Sequence, residues 1–145
     1  AYFSEPRGFF TEIISMSWIT VMNDYEFGRY SGSACTEDGL QSLSIVSGQM
    51  IGVTCAERGC IARMGNRILQ SPGIPAELVD TSGAGDCFAA GLIWGMTCKF
   101  DMSTVLHVAN LCGSAACEGV DVVETGIPTQ QIMGEVLANH RENVH

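Results

Sequence analysis

The stretch DTSGAGDCFAAG, residues 80–91, sets three small residues and an acid between a strand-like run, AELV (76–79), and an apolar segment, CFAAGLIWGM (87–96). Strand, glycine-rich turn and helix in succession form a recurrent way of holding an anion. The free amides of a helix start point outward there, and the helix dipole favours negative charge. Gly83, Ala84 and Gly85 have the small side chains that a close approach requires, so the turn can cradle an anion without a lysine. Two better-known phosphate motifs fail at the residue level. A P-loop requires GxxxxGK[ST], and the single lysine, Lys99, lies at the far end of the helix. A dinucleotide fingerprint requires a third small residue where Phe88 stands, which disfavours a dehydrogenase. Asp86 falls in the first turn of the helix. An acid there complements the dipole; beside an anion cradle it can also orient an attacking hydroxyl and take its proton during phosphoryl transfer.

The chain has 145 residues, 46% of them apolar and 16% charged, a composition suited to one globular domain. Sixteen acids against seven bases give a net charge of −9 without any basic cluster, so nucleic acid and anionic membrane are not expected partners. A phosphate ligand must then be held by amides, a metal ion or scattered arginines. The seven cysteines show no CxxC spacing and several lie in apolar runs, as expected of buried reduced thiols in a cytoplasmic protein. No signal peptide and no apolar run near the ~20 residues of a membrane span is visible.

SWITVM (17–22) reads as a strand ending at NDYEF, where Asn and Asp can cap a short helix. TEDGLQSLSIVSGQM (36–50) carries Leu40, Leu43, Val46 and Met50 at helical spacing. IGVTCA (51–56) is a buried strand followed by a turn at ERG. CIARM and RILQ flank Gly65-Asn66 as a β-hairpin, and AELVD is a short strand. AGDCFAAGLIWGMTC is a helix whose Gly91 and Gly95 let another element approach closely. Asp101 or Ser103 caps the next helix, which ends at Gly119, and Thr129 opens a last one running to about His140. Trp18, Trp94 and the methionines are expected in the core, and Arg58, Arg63 and Arg67 in solvent, with Arg58 able to reach a phosphate. His107 is expected to be packed or at the surface, not a ligand. Strands alternating with helices favour an α/β layered fold with a mostly parallel sheet.

DTSGAGDCF matches at all nine positions the pattern DTxGAGDxF of the ribokinase-like, or PfkB-type, carbohydrate kinases, and the chain resembles that family from about Trp18 onward. The resemblance implies a three-layer ribokinase-like fold, with residues 1–145 as a single domain: the C-terminal nucleotide-binding and catalytic portion, without the N-terminal half and lid. It implies an anion hole at Gly83, Ala84 and Gly85 with Asp86 as catalytic base. NDYE resembles the NxxE element, so Asn23 and Glu26 would organise Mg²⁺, water and nucleotide phosphates. VTCAERGC resembles TLGxxG, which places Thr54 and Gly59 near the nucleotide; Ala56 stands where the family has glycine, and Glu57 adds an acid. Asn110 belongs to a helix that borders the adenine pocket in the family, and ETGIP (124–128) resembles a loop holding a monovalent, potassium-like cation beside Asp80 and Ser82. The implied activity is transfer of the γ-phosphoryl group of ATP to a hydroxymethyl group of a sugar or nucleoside. The resemblance implies the nucleotide half of the site, which need not turn over by itself, with exposed apolar surface able to pair two copies as a homodimer. The other reading is a non-catalytic nucleotide-binding or interaction module.

Overall fold

The computed structural model describes residues 7–118, together with Gly134 and Ala138, both helical. The expected last helix and the ETGIP loop otherwise lie outside the described residues. Backbone contacts gather into two compact units, Ala1–Gln70 and Ser71–His145.

The first unit is built on a four-stranded sheet in the order β1-β2-β3-β4, with β1 at Ile19–Asn23, β2 at Met50–Thr54, β3 at Cys60–Met64 and β4 at Arg67–Ser71. β1 and β2 are parallel, with Ile19 opposite Met50 and Asn23 opposite Thr54, whereas β2 and β3 are antiparallel. β3 and β4 are joined by the two-residue turn Gly65-Asn66, as the hairpin signal predicts. β2 is buried along almost its whole length, which its uncharged sequence MIGVT permits. Helices α1 (Arg7–Met16), α2 (Asp24–Ser31) and α3 (Thr36–Ser42) accompany the sheet. Phe27, Leu40, Ile51, Val53 and Ile61 form the centre of the core, with Ile14 and Cys55 at its margin.

The expected long helix over 36–50 stops at Ser42. Leu43 is already extended, and Met50 belongs to β2. Ser42, Ser44 and Ser47-Gly48 offer the backbone local alternatives to the helix, and Arg63 fixes the break. Its guanidinium, expected in solvent, instead donates to the carbonyls of Leu40, of Gln41 at 2.9 Å and of Leu43 at 2.7 Å, capping the end of α3. Trp18 and Met16, expected inside, are each 73% exposed, and with Met16 α1 turns a stripe of Phe9 and Ile13 outward.

The second unit centres on α4 (Ala84–Thr97) and α5 (Met102–Cys117), antiparallel across a short link. The two glycines of α4 do what their spacing suggests. A Cβ at Gly91 would lie 2.6 Å from Cys112 Sγ and 3.1 Å from the Ala109 Cα, and one at Gly95 would lie 3.3 Å from the Val105 Cα. Trp94 is half-buried, edge-on to Phe100 with ring centroids 5.7 Å apart. The run AELV is not a strand. No strand pairs with it among the described residues, and Val79 and Asp80 both donate their amides to Cys117 O at the end of α5. None of the seven cysteines is in a disulfide, and four are buried. Burial pushes the Cys112 thiol up to about 11, with Cys87 adding to the effect, so it stays protonated at neutral pH.

Asp101 caps α5, accepting from the Ser103 and Thr104 amides and from the Thr104 hydroxyl at 2.6 Å. The Thr104 hydroxyl, ahead of the backbone donors, holds the carboxyl below its usual range. A lowered folded value means that the cap is at full strength above the ordinary carboxylate range and is lost as pH falls through the folded value. Asp101→Ala should cost about 1–2 kcal/mol at neutral pH, read by chemical denaturation. The difference from wild type should shrink on acidification towards pH 2.

Candidate active site

The sequence-predicted residues fall into two groups, one in each unit. In the first unit, Asn23 ends β1 and caps α2. Its Oδ1 accepts from the Glu26 amide at 2.8 Å, and Glu26 Oε2 accepts from the Asn23 amide at 3.0 Å. This reciprocal capping box explains why Asn and Glu stand three apart after a strand. It engages one Glu26 oxygen, while the other oxygen and the Asn23 amide nitrogen carry no further bond among the described residues. Thr54 lies opposite Asn23 at the carboxyl ends of the parallel pair β1 and β2, where ligands of α/β sheets are received.

β2 continues into a tight turn over Cys55–Gly59. Cys55 N donates to Gly59 O at 2.7 Å, Arg58 N to Cys55 O at 3.0 Å, and Gly59 N to Ala56 O at 3.0 Å. Gly59, at φ 94° and ψ −134°, holds a conformation open almost only to glycine. Ala56, at φ 50°, is left-handed without being glycine, which costs about 1–2 kcal/mol. Ala56→Gly should therefore raise the unfolding free energy by up to about 1 kcal/mol, set against glycine's larger unfolded-state entropy, as measured by urea denaturation.

In the second unit the motif of residues 80–86 is continuous. Asp80 accepts from the Ser82 amide at 2.9 Å, and that backbone bond, followed by the Ser82 side chain, holds its carboxyl below the usual range. Gly83 precedes α4 at φ 76°, ψ −1°. The left-handed turn swings the chain abruptly into the helix, and no side chain caps it. Ala84 N turns back to Thr81 O at 3.3 Å and Cys87 N begins the helical ladder to Gly83 O. The amides of Gly85 and Asp86, in the first turn, have no acceptor of that kind. Gly85 is exposed, and a Cβ there would meet nothing within 4 Å. The Asp86 side chain is exposed and carries no hydrogen bond among the described residues.

One support of this turn, Gly113, escapes a reading of the sequence, and so does the structural duty of Asn110. Gly113 of α5 lets that helix approach the start of α4; its Cβ would lie 3.3 Å from Ala84 O and 3.5 Å from Phe88 Cβ. Asn110 is buried, and its amide donates to Ser71 O at 3.2 Å and Pro72 O at 3.1 Å. Its polar atoms thus fasten the segment that leads towards the motif.

A cavity of about 860 Å³ lies in the first unit, with Asp24, Cys55, Arg58, Thr36, Glu37 and Gln70 in its wall. Asn23, Glu26, Thr54 and Gly59 do not line it, although their chain neighbours Asp24, Tyr25, Cys55, Arg58 and Cys60 do. Among the described residues there is no cluster of three or more His, Cys, Asp or Glu able to hold a metal by itself, and no helix is long and apolar enough to cross a membrane.

Known proteins give this geometry its context. The fructosamine kinase FrlD of Bacillus subtilis is 29% identical over 95 residues, covering 63% of this chain and 34% of its own length. The Burkholderia thailandensis nucleoside kinase in complex with inosine superposes with a TM-score of 0.77 at 20% identity, over 94% of this chain and 44% of that one. The aminoimidazole riboside kinase of Salmonella enterica, complexed with aminoimidazole riboside and an ATP analogue, gives a TM-score of 0.74 at 19% identity, over 90% and 46%. The chain thus spans less than half the length of these proteins, and the structures establish a mixed α/β, ribokinase-like fold. The pfkB family carbohydrate kinase pattern matches residues 3–130. A match over most of the chain, with the glycine turn and Asp86 inside it, makes this chain a member of the pfkB carbohydrate kinase family.

Proposed function

We propose that the chain carries the nucleotide-holding and phosphoryl-transfer elements of a cytoplasmic ATP-dependent kinase whose acceptor is a hydroxymethyl group of a sugar or nucleoside. The observation that carries this reading is the start of α4: a left-handed Gly83, two first-turn amides without helical acceptors, open space at Gly85 and an exposed carboxylate at Asp86. The amides of Gly85 and Asp86 stabilise charge on the migrating phosphoryl group. Asp86 aims the acceptor hydroxyl and takes its proton as that oxygen bonds to the γ-phosphorus and the bond from phosphorus to the ADP oxygen breaks. A loose phosphoryl transition state asks chiefly for position and charge stabilisation.

Asn23 and Glu26, with Thr54 and Gly59, would serve the nucleotide, and the Asn110 helix would border the adenine. Asn110 acts there through the 71–72 segment that its amide holds. Mg²⁺ usually keeps several waters and takes one or two carboxylates plus phosphate oxygens. The donor set fits that habit, since Glu26 has an oxygen outside its capping box. Bound there, the ion would neutralise charge on the phosphates. Asp80, kept ionised by Ser82, suits a monovalent cation.

The second reading, a nucleotide-binding module without turnover, is favoured by the Ala56-Glu57 departure: a strained alanine and an added acid in the turn assigned to the nucleotide. Calorimetry with Mg-ATP, paired with ADP release across a panel of pentoses, hexoses and nucleosides, separates the two. Binding with acceptor-dependent ADP release supports the kinase, and binding without it supports the module. No heat at millimolar nucleotide rejects both.

A further inference from the structure

We infer that Asp24 and Arg58 form a latch that positions the Cys55–Gly59 turn for nucleotide, an inference that rests on the nucleotide role proposed for Thr54 and Gly59. Arg58 Nη2 donates to Asp24 Oδ2 at 2.7 Å, while Asp24 Oδ1 accepts from the Tyr25 amide at 2.9 Å, so both carboxylate oxygens are engaged. The two residues occupy telling places. Asp24 opens α2 between Asn23 and Glu26, and Arg58 sits in the turn between strained Ala56 and glycine-only Gly59.

The pair closes a ring. Asn23 and Thr54 are joined across the parallel ladder; from Thr54 the chain runs through the turn to Arg58, and Asp24 returns it to Asn23. The strain at Ala56 is opposed first by the backbone bonds that close the turn, Cys55 N to Gly59 O among them, and Arg58 adds a tie from the turn to α2. Asp24, Cys55 and Arg58 also wall the 860 Å³ cavity, which leaves space on one flank of the turn. The pair also explains Arg58 itself. In an acidic chain, an arginine next to a phosphate site could clamp the phosphate; here it is spent on a carboxylate of the neighbouring helix, and its service is to geometry. Arg58 is thus a positioning residue, not a phosphate ligand.

The side chains are 67% and 40% exposed, and a pair of that kind contributes up to about 1 kcal/mol, or roughly fivefold in an equilibrium. Asp24→Asn and Arg58→Gln should each speed hydrogen exchange of the Cys55, Arg58 and Gly59 amides up to fivefold in nucleotide-free protein, leaving the β2 amides unchanged. Both should weaken Mg-ATP affinity by a similar factor and lower the unfolding free energy by no more than about 1 kcal/mol. The double variant should be no worse than either single one, and Arg58→Lys should restore much of the loss. Unchanged exchange, additive effects in the double variant, or normal Mg-ATP affinity in both single variants overturns the latch. Absence of Mg-ATP binding by the wild-type chain, with faster exchange in the variants, overturns instead the nucleotide reading beneath it.

Discussion

Asp86→Asn is expected to lower the rate of phosphoryl transfer by about 10³-fold, within the range of general-base removal, and to leave Mg-ATP affinity within about twofold. The substitution is nearly isosteric at an exposed side chain without hydrogen-bond partners among the described residues, so no packing is lost. What changes is the ability to accept a proton and a unit of charge at a helix start, worth about 0.3–1 kcal/mol to stability. The two readouts are ADP release with the best acceptor of the panel and calorimetric titration of Mg-ATP. A variant that turns over at the wild-type rate removes Asp86 from the chemistry, whatever the family match.

Gly91→Val is expected to be the most damaging change to the fold. Alanine in place of an interior helical glycine ordinarily gains up to about 1 kcal/mol. Here the first added carbon already meets Cys112 Sγ at 2.6 Å, Cys112 Cβ at 3.0 Å and the Ala109 Cα at 3.1 Å. Sulfur and backbone cannot both give way while α5 keeps its place, and valine adds two further methyl groups. Overpacking of this kind costs about 3 kcal/mol, which in a chain of this size lowers the melting temperature by roughly 10 °C. Gly91→Ala should lie between valine and wild type. Because α5 supports the start of α4 through Gly113, the valine variant should also blunt nucleotide binding. A melting temperature unchanged within 2 °C would show that α4 and α5 do not pack closely at Gly91.

What the sequence discloses is largely local. The motif at residues 80–88, the hairpin at Gly65-Asn66, the caps at Asn23 and Asp101 and the paired glycines of α4 are each dictated by residues a few positions apart. Turn chemistry, capping and helical spacing act at that range. What it conceals depends on distant partners. Arg63 looks like any surface arginine until the carbonyls at the end of α3, some twenty residues earlier, converge on it. Gln49 is equally unremarkable in sequence, yet it is buried and donates to the Ile14 and Ser17 carbonyls at the end of α1. AELV has the composition of a strand but no strand beside it among the described residues, and strand formation is a property of the pair. Trp18 fails for a related reason: hydrophobicity gives the tendency to be buried, not the neighbours that would do it.

The candidate site divides along the same line. Asn23, Glu26, Gly83, Gly85 and Asp86 could be picked out from spacing and resemblance, and the Asn23 cap with them, but the distant bonds around the site could not. Asn23 and Glu26 spend part of their bonding on a capping box, and Asn110 spends its amide on residues 71 and 72. Each has a structural duty that a ligand must share.

The proposed function requires the first-turn amides of α4 to receive a phosphate, and amide chemical shifts test this most directly. On titration with Mg-ATP, the ¹⁵N–¹H resonances of Gly85 and Asp86 should move saturably in the wild-type chain and again in Asp86→Asn, with Lys99 at the opposite end of the helix unmoved. Resonances of Gly85 and Asp86 that stay in place at millimolar nucleotide would contradict it.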